Sequence, residues 1–135
     1  MSNDIVKYIL STKYDIVCIQ EHRLRGHRFH TCRHKLQHCY HVIGPHAHVK
    51  HSMASGGSFV LIHKAMQLLP MNLGFDNQDF SNNTATAIIR LKNCSFMLSS
   101  VYLPPNDDYT KLATMNHIAK TYSQVKCPWA VFGDF

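Results

Sequence analysis

The chain has 135 residues, 45% of them hydrophobic, and a formal charge of +6. That length leaves room for one domain with a substantial core, and no apolar run is long enough to span a bilayer. The start, Met1-Ser2-Asn3-Asp4, lacks the charged and apolar regions of a signal peptide, and the five cysteines form an odd set with no C-x-x-C pair, so the expectation is a reduced intracellular protein, nuclear or cytoplasmic, neither secreted nor held by disulfides.

The distribution of charge says more than its sum. From His22 to Phe75 there is no Asp or Glu, while Arg23, Arg25, Arg28, Arg33, Lys35, Lys50 and Lys64 all lie there. A one-signed segment of that length favours a polyanionic partner, nucleic acid first and an anionic membrane surface second. The plainer alternative is a solvated face that keeps the chain soluble.

In chain order, Ser2 caps a first helix in which Ile5, Val6, Ile9 and Leu10 recur at helical spacing, with Asp4 in the first turn. Asp15-Ile16-Val17-Cys18-Ile19-Gln20-Glu21 then reads as a strand buried on both faces, because a half-buried strand would alternate. Glu21, the only glutamate in the chain, stands where that strand ends. Gly26 to Tyr40 is weakly helical, with Phe29, Cys32, Leu36, Cys39 and Tyr40 as a narrow apolar stripe. Tyr40–Ile43 is a short strand stopped by Gly44-Pro45, and His46 to Ser55 is an exposed loop. Gly56-Gly57 introduces a strong strand signal over Ser58–His63, the paired glycines suiting a tight backbone approach. Ala65 to Thr84 is an irregular connection with a short edge strand near Met66–Leu69.

Ala85–Leu91 and Cys94–Tyr102 flank the polar turn Lys92-Asn93, which predicts an antiparallel hairpin. Cys18 and Cys94 fall within strands, where a thiol behaves as a small hydrophobe. Asp107 or Asp108 caps a helix reaching about Val125, with Leu112, Met115, Ala119 and Tyr122 on one face. Trp129–Phe132 is a further buried strand, followed by Gly133-Asp134-Phe135. The terminal buried strand and the scarcity of covering elements suggest the front part of a larger domain.

Two carboxylates thus follow two apolar strands. Magnesium prefers hard oxygen ligands and is commonly held by one or two carboxylates together with substrate phosphate. One acid can sit on the metal while the other orients or deprotonates water. Tyr102, ending a third strand, adds a phenol to the same rim.

These segments resemble the endonuclease/exonuclease/phosphatase superfamily. Asp15–Glu21 looks like its D-I-[VI]-x-[LI]-Q-E strand, Gly56-Gly57 with Phe59–Ile62 like its G-G-V-[AG]-[IL] strand, Val101-Tyr102-Leu103-Pro104-Pro105 like its V-Y-x-P element, and Gly133-Asp134-Phe135 like the opening of G-D-F-N. Order and spacing agree over nearly the whole chain. The resemblance implies an α/β fold, a partial two-sheet sandwich of mixed, largely antiparallel sheets with outer helices, truncated at both ends, in which residues 1–135 are part of one domain. It also implies phosphodiester hydrolysis dependent on Mg²⁺ or Mn²⁺, with no other small-molecule cofactor. By position, Glu21 is the metal ligand, Asp134 orients or activates water, Tyr102 contacts the phosphate or assists the leaving group, and Asn106 touches substrate. The basic segment and the V-Y-x-P-P form lean towards the apurinic-type endonucleases of non-LTR retrotransposons, hence towards DNA.

Several family elements have no counterpart: the first strand ending in a metal-binding Asn, the Asn of G-D-F-N, a later Asp, and the S-D-H element. Removing parts of a constellation that acts as a unit costs orders of magnitude in rate, so this stretch alone is expected to be weak or inactive. The alternative is a non-catalytic basic, histidine-rich module that binds nucleic acid or metal, or a decayed element. Nine of the eleven histidines lie between His22 and His51. A helix through His27, His30, His34, His38 and His41 would align them, which invites zinc or copper, although no spacing matches a structural zinc site. The plainer expectation is a solvated face that gains positive charge below about pH 6.

Overall fold

Ser58–His63 is the strand on which the packing turns. In the computed structural model, which describes residues 1–70 and 83–135, its side chains from Ser58 to Ile62 are fully shielded from solvent. Alternation along a strand sends neighbouring side chains to opposite faces. Phe59 and Leu61 enter one apolar cluster with Val6, Ile9, Phe29, Leu36 and Val42, while Val60 and Ile62 enter another with Ala85, Ala87, Ile89 and Leu98. At roughly 1.5–3 kcal/mol for each fully buried large apolar side chain, this strand stabilises both cores at once, with two side chains in each.

The elements run α1 (Asn3–Thr12), β1 (Ile16–Gln20), α2 (Gly26–Leu36), β2 (Tyr40–Ile43), β3 (His48–Lys50), β4 (Met53–Ser55), β5 (Ser58–His63), β6 (Gln67–Leu69), β7 (Thr84–Arg90), β8 (Ser95–Tyr102), α3 (Asp108–Ser123) and β9 (Trp129–Asp134). The first sheet has the order β1-β5-β2, antiparallel throughout. The second has the order β6-β7-β8-β9, antiparallel except for the parallel pair β8-β9. The two sheets stack through the second apolar cluster, with α1 and α2 covering the outer face of the first. This is a mixed, largely antiparallel α/β sandwich. The hairpin β3-β4 stands apart as a third, two-stranded ribbon.

Much of the local reading holds. The Ser2 side chain accepts from the Ile5 N–H, α1 buries Val6 and Ile9, and the β7-β8 hairpin closes as expected through Leu91 N–H to Cys94 O at 2.7 Å. The edge strand expected near Met66–Leu69 is β6; the rest of the connection, residues 71–82, lies outside the described residues.

Five expectations need correction. The strand buried on both faces is β5, not β1: β1 lies at the sheet edge and is half-buried along its whole length. The Trp129 strand is also not buried, since β9 is the outer strand of its sheet and Trp129 and Phe132 are half exposed. His46–Ser55 contains the β3-β4 ribbon rather than a plain loop. Cys94 lies in the exposed turn before β8 instead of inside a strand, whereas Cys18 does lie in β1, where burial pushes its thiol up to about 11. Finally, α3 does not turn its apolar stripe inward. Leu112 and Met115 face solvent, and the buried side chains are Thr114, Thr121 and Tyr122. The helix is docked by a polar anchor: the Tyr122 hydroxyl donates to Ala130 O (3.1 Å), meets Ser99 Oγ at 2.8 Å, and its ring packs on Trp129. Hydropathy periodicity does not register such an anchor.

Candidate functional site

Three of the four sequence-predicted site residues meet at one rim of the sandwich. Tyr102 ends β8 and Asp134 ends β9, and the parallel pairing puts these two residues directly opposite each other, with Leu103 N–H donating to Asp134 O at 3.1 Å. Gly133 makes this pairing close: a Cβ there would run into the Val101 carbonyl. Glu21 arrives from the other sheet, one residue past β1. The two sheets are tied just below it, where Gln20 Nε2 donates to Ser100 Oγ (2.9 Å) and that hydroxyl donates to Ile19 O (3.1 Å).

The electrostatics of Tyr102 report the convergence. Its phenol, largely buried, is held above the usual tyrosine range first by burial, then by the negative charge of Glu21 and a hydrogen bond to that carboxylate, with Asp134 adding in the same direction and Arg23 opposing. At neutral pH Tyr102 is therefore a protonated donor flanked by both acids. Asn106 is exposed in the loop before α3. Its neighbour Asp107 is committed to the helix, accepting from Thr110 N–H (3.0 Å) and Thr110 Oγ1 (2.8 Å) and pairing with Lys50 at 3.2 Å. Those hydrogen bonds and the lysine hold the Asp107 carboxyl down at about 2.

The turn that carries Glu21 has an unusual backbone. Glu21 and Arg23 both adopt left-handed conformations, with φ of 53° and 55°. Non-glycine residues rarely do so, and such strain gathers at functional sites where the surroundings over-determine it. Here the surroundings are named. His22 N–H donates to Gly57 O (3.1 Å) and Arg23 N–H to Gly56 O (3.0 Å), so the turn lies flat on the paired glycines. Gly57 has φ +87°, and a Cβ on it would strike the His22 ring.

His22 is buried, stacked on Phe59 with ring centroids 4.1 Å apart. Its Nδ1 accepts from Leu24 N–H (2.9 Å) and its Nε2 lies 3.1 Å from Pro45 O, so the neutral ring protonated on Nε2 satisfies both partners. Burial holds its pKa down to about 4. His22, Arg23 and the Gln20–Ser100 bridge were not singled out in the sequence. The only signal for them was adjacency to Glu21.

Arg23 forks onto Glu21, with Nε at 3.0 Å and Nη2 at 2.5 Å from the same Oε1. That contact raises the guanidinium pKa further above its ordinary value. The donors at the rim are all hard oxygens, two carboxylates and a phenol, a set that suits magnesium or manganese and not a soft metal. The five histidines do not line one helix: α2 ends at Leu36 and His41 lies in β2, while His38, in the turn that follows α2, keeps its ring 5.5 Å from that of His34. Among the described residues no three His, Cys, Asp or Glu side chains cluster to hold a metal. No described helix is long and apolar enough to cross a membrane.

No protein-family profile matches this sequence, and neither does any curated protein. Solved structures do match. ANGEL2, a 2',3'-cyclic phosphatase in complex with adenosine-2',3'-vanadate, aligns with a TM-score of 0.62 at 18% identity, over 97% of this chain and 42% of that one. The human Nocturnin catalytic domain with bound sulfate gives 0.61 at 19%, over 96% and 54%. D. rerio TDP2, complexed with a single-strand DNA product, gives 0.61 at 12%, over 96% and 50%. The chain shares its α/β sandwich fold with these structures. At these identities the likeness is one of fold, and the chain spans about half the length of each of these structures.

Proposed function

We propose that the chain is part of a divalent-metal-dependent phosphodiesterase that cleaves DNA, of the endonuclease type carried by non-LTR retroelements. The observation that carries this reading is the meeting of Glu21, Tyr102 and Asp134 at one rim, from three strands and two sheets. Support comes from neighbours of the same fold whose structures hold a nucleoside 2',3'-vanadate and a single-strand DNA product. The acid-free segment from His22 to Phe75 adds the field a polyanion would seek.

Glu21, one residue past β1, would hold Mg²⁺ or Mn²⁺, and the chemistry such an ion would supply is neutralisation of charge on a phosphodiester. Asp134, across the strand pair from Tyr102, accepts the proton of the attacking water or orients it. Tyr102 stays protonated because both acids and its burial disfavour phenolate, and it donates to a phosphoryl oxygen or to the leaving oxygen. Asn106, exposed beyond Pro105, meets the strand away from the reacting atoms.

Nicking of supercoiled plasmid in Mg²⁺ tests this, comparing the chain, and the longer reading frame where one is encoded, with Asp134→Ala. Loss of a general base lowers the rate by about 10²-fold or more. Equal nicking by both forms would remove Asp134 from the mechanism.

A further inference from the structure

We propose that Arg23 is the phosphate-binding arm of this site, held on Glu21 until a divalent cation replaces it there. The proposal rests on the reading of Glu21 as the metal ligand and goes beyond it. Four observations carry it. The guanidinium fork sits on a single carboxylate oxygen of Glu21, the group on which a metal would sit. The Arg23 main chain is fixed, by its N–H on Gly56 O and by a left-handed φ, so the side chain is anchored at its root beside the rim. The side chain itself is 59% exposed, so its head can swing without breaking a buried contact. Its charge also reaches Tyr102, the phenol shared with Asp134.

Two cations cannot both take the same carboxylate oxygen at full strength. A dication on Glu21 therefore competes with the fork, and the released guanidinium is a planar multi-donor group matched to phosphate oxygens. Arginine at this position then does two things in sequence. It neutralises the lone glutamate of the chain when no metal is present, and it offers a phosphate clamp when one is. An exposed pair of this kind is weak, which an exchange requires.

The test is a Mn²⁺ titration of the whole chain followed by electron paramagnetic resonance of free Mn²⁺, with wild type, Arg23→Ala, Arg23→Lys and Glu21→Gln side by side. Their thermal midpoints confirm that each is folded. Arg23→Ala binds Mn²⁺ about two- to fivefold more tightly than wild type at low salt, the gain that removing an exposed competitor gives. Arg23→Lys, which keeps the charge but not the fork, falls between them, and the difference shrinks as salt screens the pair.

In saturating Mn²⁺, a fluorescent thymidine oligonucleotide binds Arg23→Ala more weakly, with a log–log salt slope shallower by about 0.7, the loss of one phosphate contact on a single strand. Unchanged, weaker or undetectable Mn²⁺ binding by Arg23→Ala overturns the proposal, as does an unchanged oligonucleotide slope. Glu21→Gln separates the two readings. If it binds Mn²⁺ as wild type does, the metal assignment itself fails. If it loses Mn²⁺ while Arg23→Ala equals wild type, only the role of Arg23 fails.

Discussion

His22 shows how much of the candidate site rests on a buried side chain beneath it. It fills the space over Gly57, stacks on Phe59 and ties Leu24 to Pro45, which locks the strained turn at Glu21. Its charge state follows from that burial. The folded ring stays neutral down to about pH 4, whereas a free imidazole titrates near 6.5. A base whose folded pKa is lowered contributes stability that is complete above pH 6.5 and is lost as the pH falls towards 4, by about 3 kcal/mol in all. Urea midpoints measured from pH 7.5 down to 4.5 should therefore drop steadily below pH 6.5. His22→Phe should be less stable at pH 7.5, having lost both hydrogen bonds, and should show a distinctly shallower acid dependence. Parallel pH profiles for the two proteins would contradict this account of the turn.

At the level of elements, the glycine pair before β5 is as consequential as the strand it introduces. Gly57→Ala forces a side chain into a left-handed conformation and against the His22 ring, and a cost of about 2–4 kcal/mol is expected from strain and overpacking together. Urea unfolding reads this directly, and a loss below about 0.5 kcal/mol would mean that the turn is not clamped as described.

The same region marks what could be read beforehand. The strands were legible because apolar runs bounded by Gly, Pro and Asn have few other uses, and the carboxylates at their ends followed from the same runs. Which strand occupies the middle of a sheet was not legible, since β1 and β5 are equally apolar and only pairing decides that β5 takes two neighbours. The docking of α3 was missed because Tyr122 acts through its hydroxyl, and Arg23 was missed because in sequence it is one cation among seven in an acid-free stretch.

For the molecule as a whole, the decisive feature is that two sheets bring residues more than a hundred positions apart to one rim. The parallel β8-β9 pair sets Tyr102 beside Asp134, and the Gln20–Ser100 bridge sets β1 under Glu21. On the opposite side of the first sheet, α2 exposes His27, His30 and His34 among arginines, a surface suited to a polyanion and not assembled for a metal.

Paramagnetic broadening by Mn²⁺ in the ¹H–¹⁵N spectrum distinguishes these two regions in one titration. At substoichiometric Mn²⁺, the amides of Glu21, Tyr102 and Asp134 should fade together and first, while those of α2 persist. Early loss centred on His27, His30 and His34, or loss at Glu21 that leaves Asp134 untouched, would contradict a shared pocket.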